Sequence, residues 1–134
     1  MTVIVIDASV LAKYVLLEPG WEQVEDLLLR DVVSLDYALA EVSNALWKHY
    51  VLYGEISQEE FKKRSKVIDA LPNVVVFESG IQYLEKSREI AVNHKITIYD
   101  ALYVAQAIRY GTLATSDEKQ GRVAERVGIE VLYV

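Results

Sequence analysis

Short runs of β-branched and other apolar residues recur along this chain, and each is parted from the next by a longer stretch with helical patterning. That rhythm limits the fold more than any other feature. Antiparallel neighbours can be joined by a tight turn, whereas parallel strands need a crossover of about a dozen residues, usually a helix. The spacing therefore predicts an α/β fold with a central parallel β-sheet flanked by helices. Strands are expected at Val3–Ile6, Val32–Leu35, Val74–Phe77, Leu113–Thr115 and Glu130–Tyr133. Helices are expected at about 8–17, 21–30, 37–53, 57–70, 80–93, 100–110 and 118–127. The strands carry little polar–apolar alternation, as a sheet covered on both faces requires. Gly54, Gly111 and Gly128 each follow a helical run, where helices end. Ser57 and Glu60 have capping-box spacing, and Pro72 closes the helix that follows. The two helices between Leu35 and Leu71 form a long excursion between strands, which predicts a protruding α-hairpin and a partner surface.

Bulk properties narrow the class. The length of 134 residues fits one domain over 1–134. Hydrophobic residues at 52% and charged residues at 25% leave enough apolar material for a core, so disorder is not expected. With no cysteine, a disulfide scaffold and a thiolate metal site are both excluded, and a reducing compartment is compatible. The first apolar run is too short for a signal-peptide core and is broken by Asp7. No stretch reaches the roughly 18 continuous apolar residues of a membrane span. A cytoplasmic protein without membrane contact is the expectation. The net charge of -6 has the wrong sign for binding nucleic acid by bulk charge, so any such ligand must be held locally.

Four acids stand in matching contexts. Asp7 ends the run Val3-Ile4-Val5-Ile6, and Asp117 follows Leu113-Ala114-Thr115-Ser116. Asp100 opens the apolar stretch Ala101-Leu102-Tyr103-Val104-Ala105, and Glu41 lies about one turn into its helix. Ends of buried strands and starts of buried helices are where open α/β sheets place a ligand crevice. Each aspartate has a plain alternative as a helix N-cap, and Glu41 has one as an exposed helical residue. Asn44, three residues after Glu41, shares its face and could orient the carboxylate. Converging carboxylates repel, by about 4 kcal/mol for unit charges 4 Å apart at an effective dielectric near 20. A hard divalent cation relieves that repulsion. Oxygen ligands without Cys or paired His favour Mg²⁺ or Mn²⁺ over zinc, since His49 and His94 lack ligand spacing.

Taken in order, Asp7-Ala8-Ser9, Glu41-Val42-Ser43-Asn44-Ala45-Leu46, Tyr99-Asp100-Ala101-Leu102-Tyr103-Val104-Ala105 and Thr115-Ser116-Asp117 resemble the motifs of PIN-domain ribonucleases. In size the chain is similar to the VapC toxins of toxin–antitoxin pairs. The resemblance spans essentially the whole chain. It implies a PIN-like, Rossmann-like three-layer fold and an acidic pocket for Mg²⁺ or Mn²⁺. Asp7, Glu41, Asp100 and Asp117 then match the family's metal-binding and catalytic acids, and Ser9 and Thr115 its supporting hydroxyls. The resemblance also implies a homodimer and a VapB-type antitoxin that blocks the site. Where many relatives carry a bulky apolar residue, three positions after Asp117, this chain has Gln120, so packing of the last helix is expected to differ there. The proline common before the glutamate helix is also missing from Leu35-Asp36-Tyr37.

The expected activity is RNA hydrolysis by metal-activated water, leaving a 5′-phosphate and a 3′-hydroxyl. Lys13, Lys48 and Arg109 are candidate cations for the substrate, against a plain reading as surface charges. The run Lys62-Lys63-Arg64-Ser65-Lys66 reads as a solvated helix face, because Glu59–Lys63 and Glu60–Arg64 have i,i+4 spacing. Tyr99 and Tyr103 flank Asp100 as packing or rim residues, and Tyr14, Leu17 and Trp21 suit a dimer or antitoxin surface. Two other classes compete with the nuclease. One is a non-catalytic PIN-like module that binds RNA or a partner. The other is a phosphoryl-transfer domain, which the absence of a second aspartate two residues after Asp7 disfavours.

Overall fold

A computed structural model of the chain describes residues 2–134. Five parallel strands form one sheet in the order β3-β2-β1-β4-β5, with β1 at Ile4–Ile6, β2 at Val32–Leu35, β3 at Val76–Glu78, β4 at Thr112–Thr115 and β5 at Glu130–Tyr133. Every residue of β1, β2 and β4 is buried, whereas the edge strands β3 and β5 are partly exposed. The uniformly apolar runs thus belong to the interior of the sheet, and its two edges are wetter than their sequences suggested.

Seven α-helices make the crossovers: α1 (Ala8–Val15), α2 (Trp21–Leu28), α3 (Ala38–Trp47), α4 (Gln58–Ala70), α5 (Leu84–His94), α6 (Ile98–Tyr110) and α7 (Glu118–Arg126). Helices α1 to α4 pack against one another, and α5 to α7 form a second packed group whose central member, α6, lies on β1, β2 and β4. All seven residues from Ala101 to Ala107 are buried, so α6 is a core helix, not an amphipathic one. The hairpin of α3 and α4 packs on itself and on α1.

Two expected helices are each divided. The stretch at 37–53 becomes α3 followed by a π-helical segment, Lys48–Leu52, in which none of the residues is buried. The stretch at 80–93 starts as a 3-10 turn, Gly80–Tyr83, before α5. The third strand begins two residues later than expected, because Leu71–Asn73, with Pro72 in its first turn, forms a 3-10 turn after α4. Helix α6 ends at Gly111, whose φ of 93° lies in the left-handed region that only glycine takes without strain.

Polar groups against the sheet are tied down, apart from Gln106 Oε1, which is buried without a partner. The buried Ser34 hydroxyl donates to the Ile6 carbonyl at 2.6 Å, and the Gln106 amide donates to the Ser34 carbonyl at 2.8 Å and to Glu78 at 3.0 Å. Tyr83 and Tyr110 also donate to Glu78, and Arg109 sits 3.4 Å from it. Burial raises the Glu78 carboxyl, but these donors and the Arg109 charge outweigh it and hold the group below the usual carboxylate range. This network clamps α6 to β2 and β3, and so fixes where the first turn of α6 delivers its side chains.

Candidate functional site

The strand order reverses its direction of growth at β1, with β2 and β3 added on one side and β4 and β5 on the other. Crevices in open α/β sheets form at such a reversal, beyond the carboxyl ends of the strands. Asp7 follows β1 and Asp117 follows β4 by two residues, so both stand at the reversal. A cleft of about 270 Å³ opens there, and Asp7, Glu41, Asp100 and Asp117 all line it. Ala8 and Ala12 on α1 and Ala45 on α3 form much of the remaining wall, and their small side chains leave the cleft open. Four acids separated by up to 110 residues therefore meet in one place.

The cap explanation holds for two of them. Asp7 caps α1, accepting from Val10 N–H at 3.1 Å, and Asp117 caps α7, accepting from Gln120 N–H at 3.2 Å. It fails for Asp100, because α6 is capped by Thr97, whose hydroxyl accepts from the Asp100 N–H at 3.2 Å. Glu41, in the first turn of α3, caps nothing either and accepts from the Tyr103 hydroxyl at 2.7 Å. Asp100 and Tyr103 are three residues apart on α6, so one face of that helix supplies both an acid and the donor that orients a second acid.

Asp7 is the best-anchored of the four, with 3% exposure. Its Oδ1 accepts from Ser9 Oγ at 2.5 Å as well as from Val10. Its Oδ2 accepts from Thr115 Oγ1 and, at 2.6 Å, from Gln120 Nε2. Ser9 and Thr115 act in two directions. Ser9 Oγ accepts from Ser116 N–H and Thr115 Oγ1 from Asp117 N–H, each at 3.0 Å, so the turns after β1 and β4 are stitched together through the Asp7 carboxylate. Even with four donors, burial dominates and pushes the Asp7 carboxyl up to about 6, with the Asp117 charge adding to the rise. Burial also raises Asp100 and Glu41, and like charge adds to both, from Asp117 onto Asp100 and from Asp100 onto Glu41.

That mutual repulsion is the signature of a site short of positive charge. The nearest help is Lys119, whose charge favours ionised Asp100. Lys13 donates to the Val134 carbonyl at 2.7 Å, Arg109 is held at Glu78 and Lys48 begins the π-helical segment, so none of the three expected cations lines the cleft. His49 pairs with Glu55 at 2.6 Å, away from the cleft, as its lack of ligand spacing suggested. The donor chemistry fits a hard divalent ion: carboxylate oxygens, no sulfur and no imidazole. As the side chains stand, no three acids among the described residues are close enough to hold one together.

Asn44 is exposed on α3 and lies outside the cleft wall. Sequence reasoning did not foresee the Tyr103 contact with Glu41 or the Gln120 contact with Asp7. The i,i+3 offsets put Tyr103 on the face of Asp100 and Gln120 on the face of Asp117, but do not name Glu41 or Asp7 as their partners. Tyr37 packs its ring against Tyr99 and Tyr103, with centroids 5.9 and 5.7 Å apart, and its hydroxyl donates to the Tyr99 carbonyl. These tyrosines brace the junction of α3 and α6 beside Glu41, and Tyr99 itself is 65% exposed at the rim.

Comparison with known proteins agrees with this architecture. The family model described as PIN domain matches residues 4–126. Ribonuclease VapC3 from Pyrobaculum aerophilum is 31% identical over 110 residues, which is 81% of this chain and 83% of that protein. In fold, the chain is similar to the crystal structure of PAE2754 from Pyrobaculum aerophilum, with a TM-score of 0.70 at 22% identity over 97% of this chain and 89% of that one. It is also similar to the crystal structure of FitAcB from Neisseria gonorrhoeae, with a TM-score of 0.61 at 21% identity over 96% of each chain. A domain model spanning nearly the whole sequence, together with a relative above 30% identity, makes the chain a member of the PIN-domain family, of its VapC type.

Proposed function

We propose that this chain is a single PIN domain acting as a metal-dependent endoribonuclease, the toxin of a toxin–antitoxin pair. The observation that carries the reading is the placement of Asp100 and Glu41. Neither caps its helix, yet both face the cleft beside Asp7 and Asp117, where burial and like charge disfavour their ionised forms and a cation would favour them. The 31% identity to a protein named as a VapC ribonuclease supports RNA as the substrate and a VapB-type antitoxin as the partner. A cytoplasmic homodimer is part of the same reading.

Asp7, Glu41, Asp100 and Asp117 would hold Mg²⁺ or Mn²⁺. When bound, such an ion neutralises charge on a phosphodiester and lowers the pKa of a water molecule. The chain's own residues set the geometry. Ser9 and Thr115 fix the Asp7 carboxylate, Tyr103 aims Glu41, and Lys119 adds a positive side chain that favours ionised Asp100. The alanines at 8, 12 and 45 leave room for a sugar–phosphate backbone. With so few cations nearby, RNA affinity should depend strongly on the metal.

The reading is tested with a panel of transfer, ribosomal and messenger RNAs, incubated with antitoxin-free protein in Mg²⁺, in Mn²⁺ and in chelator. Cutting in either metal, none in chelator, and products with 5′-phosphate and 3′-hydroxyl ends are expected. Products ending in a 2′,3′-cyclic phosphate would overturn the hydrolytic scheme. Tight RNA binding without cutting would favour a binding module instead.

A further inference from the structure

We propose that the Gln120 amide is the cation's internal competitor: it holds the Asp7 carboxylate while the cleft is metal-free and is the donor that yields when a cation binds. This rests on the reading of the cleft as a cation site.

An ionised carboxylate offers about four lone-pair sites. At Asp7 all four are used, by Ser9 and Val10 on Oδ1 and by Thr115 and Gln120 on Oδ2. A cation that takes Asp7 as a ligand must displace one of these donors. The Val10 N–H is fixed by the first turn of α1. The Ser9 and Thr115 hydroxyls each accept a backbone N–H from the turn after β4, so moving either would strand a second group. Gln120 differs from all three. Its side chain has several rotatable bonds, it lines the cleft, and its amide nitrogen stands 2.6 Å from Oδ2. Its backbone stays anchored, because its N–H donates to Asp117, so the amide can leave without disturbing the cap of α7.

The polar residue at this position therefore has a reason that packing does not supply. Without metal, a carboxylate as buried as Asp7 needs a fourth donor to meet its lone pairs. A neutral amide supplies it without the fixed positive charge that would exclude a cation.

The consequence follows from linkage. A contact present only in the metal-free form opposes binding by its own contribution, so removing it tightens binding by that amount. A hydrogen bond to a charged group corresponds to about tenfold or more in an equilibrium constant.

The experiment is calorimetric titration of Mn²⁺ into the unmodified protein, Gln120→Met and Gln120→Leu at pH 7.5, with melting curves in chelator and at saturating Mn²⁺. Met keeps the length without the amide, and Leu supplies a shorter apolar residue. Both variants are expected to bind Mn²⁺ about tenfold tighter, to melt lower in chelator and to melt as the unmodified protein does with metal. Unchanged or weaker binding in both, or a melting point lowered equally with and without metal, overturns the inference while the cation site stands. If the unmodified protein binds no Mn²⁺, the inference and the reading of the cleft fall together.

Discussion

Asp100→Asn is expected to lower metal-dependent RNA cleavage by more than about a hundredfold while the protein stays folded. Changes to residues that merely orient a metal ligand already cost about 10–100-fold, and removing a carboxylate from the cleft should exceed that. The fold has little reason to respond. Thr97 caps α6 through the Asp100 backbone N–H, which asparagine retains. The variant loses an acid in the first turn of a helix, worth about 0.3–1 kcal/mol, but is also relieved of repulsion from Asp117. Steady-state cleavage of a substrate RNA, measured beside a melting curve, checks both halves. A loss under tenfold would remove Asp100 from the chemistry. A large loss with collapse of the fold would make its role structural.

The second large effect concerns stability. Asp7→Asn is expected to make the metal-free protein more stable at pH 8, by about 1–3 kcal/mol. Burial raises the folded carboxyl to about 6, against about 4 in an unfolded chain. Below pH 4 the group is protonated in both states and costs nothing. As pH rises from 4 to 6 the unfolded chain releases its proton first, so stability falls by about 3 kcal/mol in all. Above pH 6 the loss is complete and constant. The amide of the variant is neutral throughout and lacks this slope. It can keep an oxygen toward Val10 N–H and point its nitrogen at Thr115 Oγ1, with the Gln120 amide turned to offer oxygen. Some of the gain is given up in that adjustment. Melts in chelator at pH 5 and pH 8 check it. A variant no more stable than the parent at pH 8 would mean that the Asp7 charge is not strained in the metal-free fold.

The sheet was legible because its information is local. Runs such as Val3-Ile4-Val5-Ile6 announce a covered strand without reference to anything else, and all five strands lie within two residues of their expected positions. The positions of Asp7 and Asp117 were legible for the same reason, since each follows a buried strand at the reversal of strand order. Asp100 became distinguishable from a cap only once Thr97 was seen to cap α6. Contacts across the fold were not legible. Tyr103 reaches Glu41 over 62 residues and Gln120 reaches Asp7 over 113, and no periodicity encodes either. The departure at Gln120 was visible as an oddity of packing. Its partner, and hence its purpose, was not. Lys13 and Arg109 looked available for substrate because sequence shows a charge but not what already holds it.

The most direct measurement is Mn²⁺ binding at pH 7.5, followed by electron paramagnetic resonance on the unmodified protein, Asp7→Asn and Asp100→Asn. Saturable binding to the unmodified protein, weakened about tenfold or more in each variant, is expected. Equal binding in all three, or none in any, would contradict a cation site built on these carboxylates.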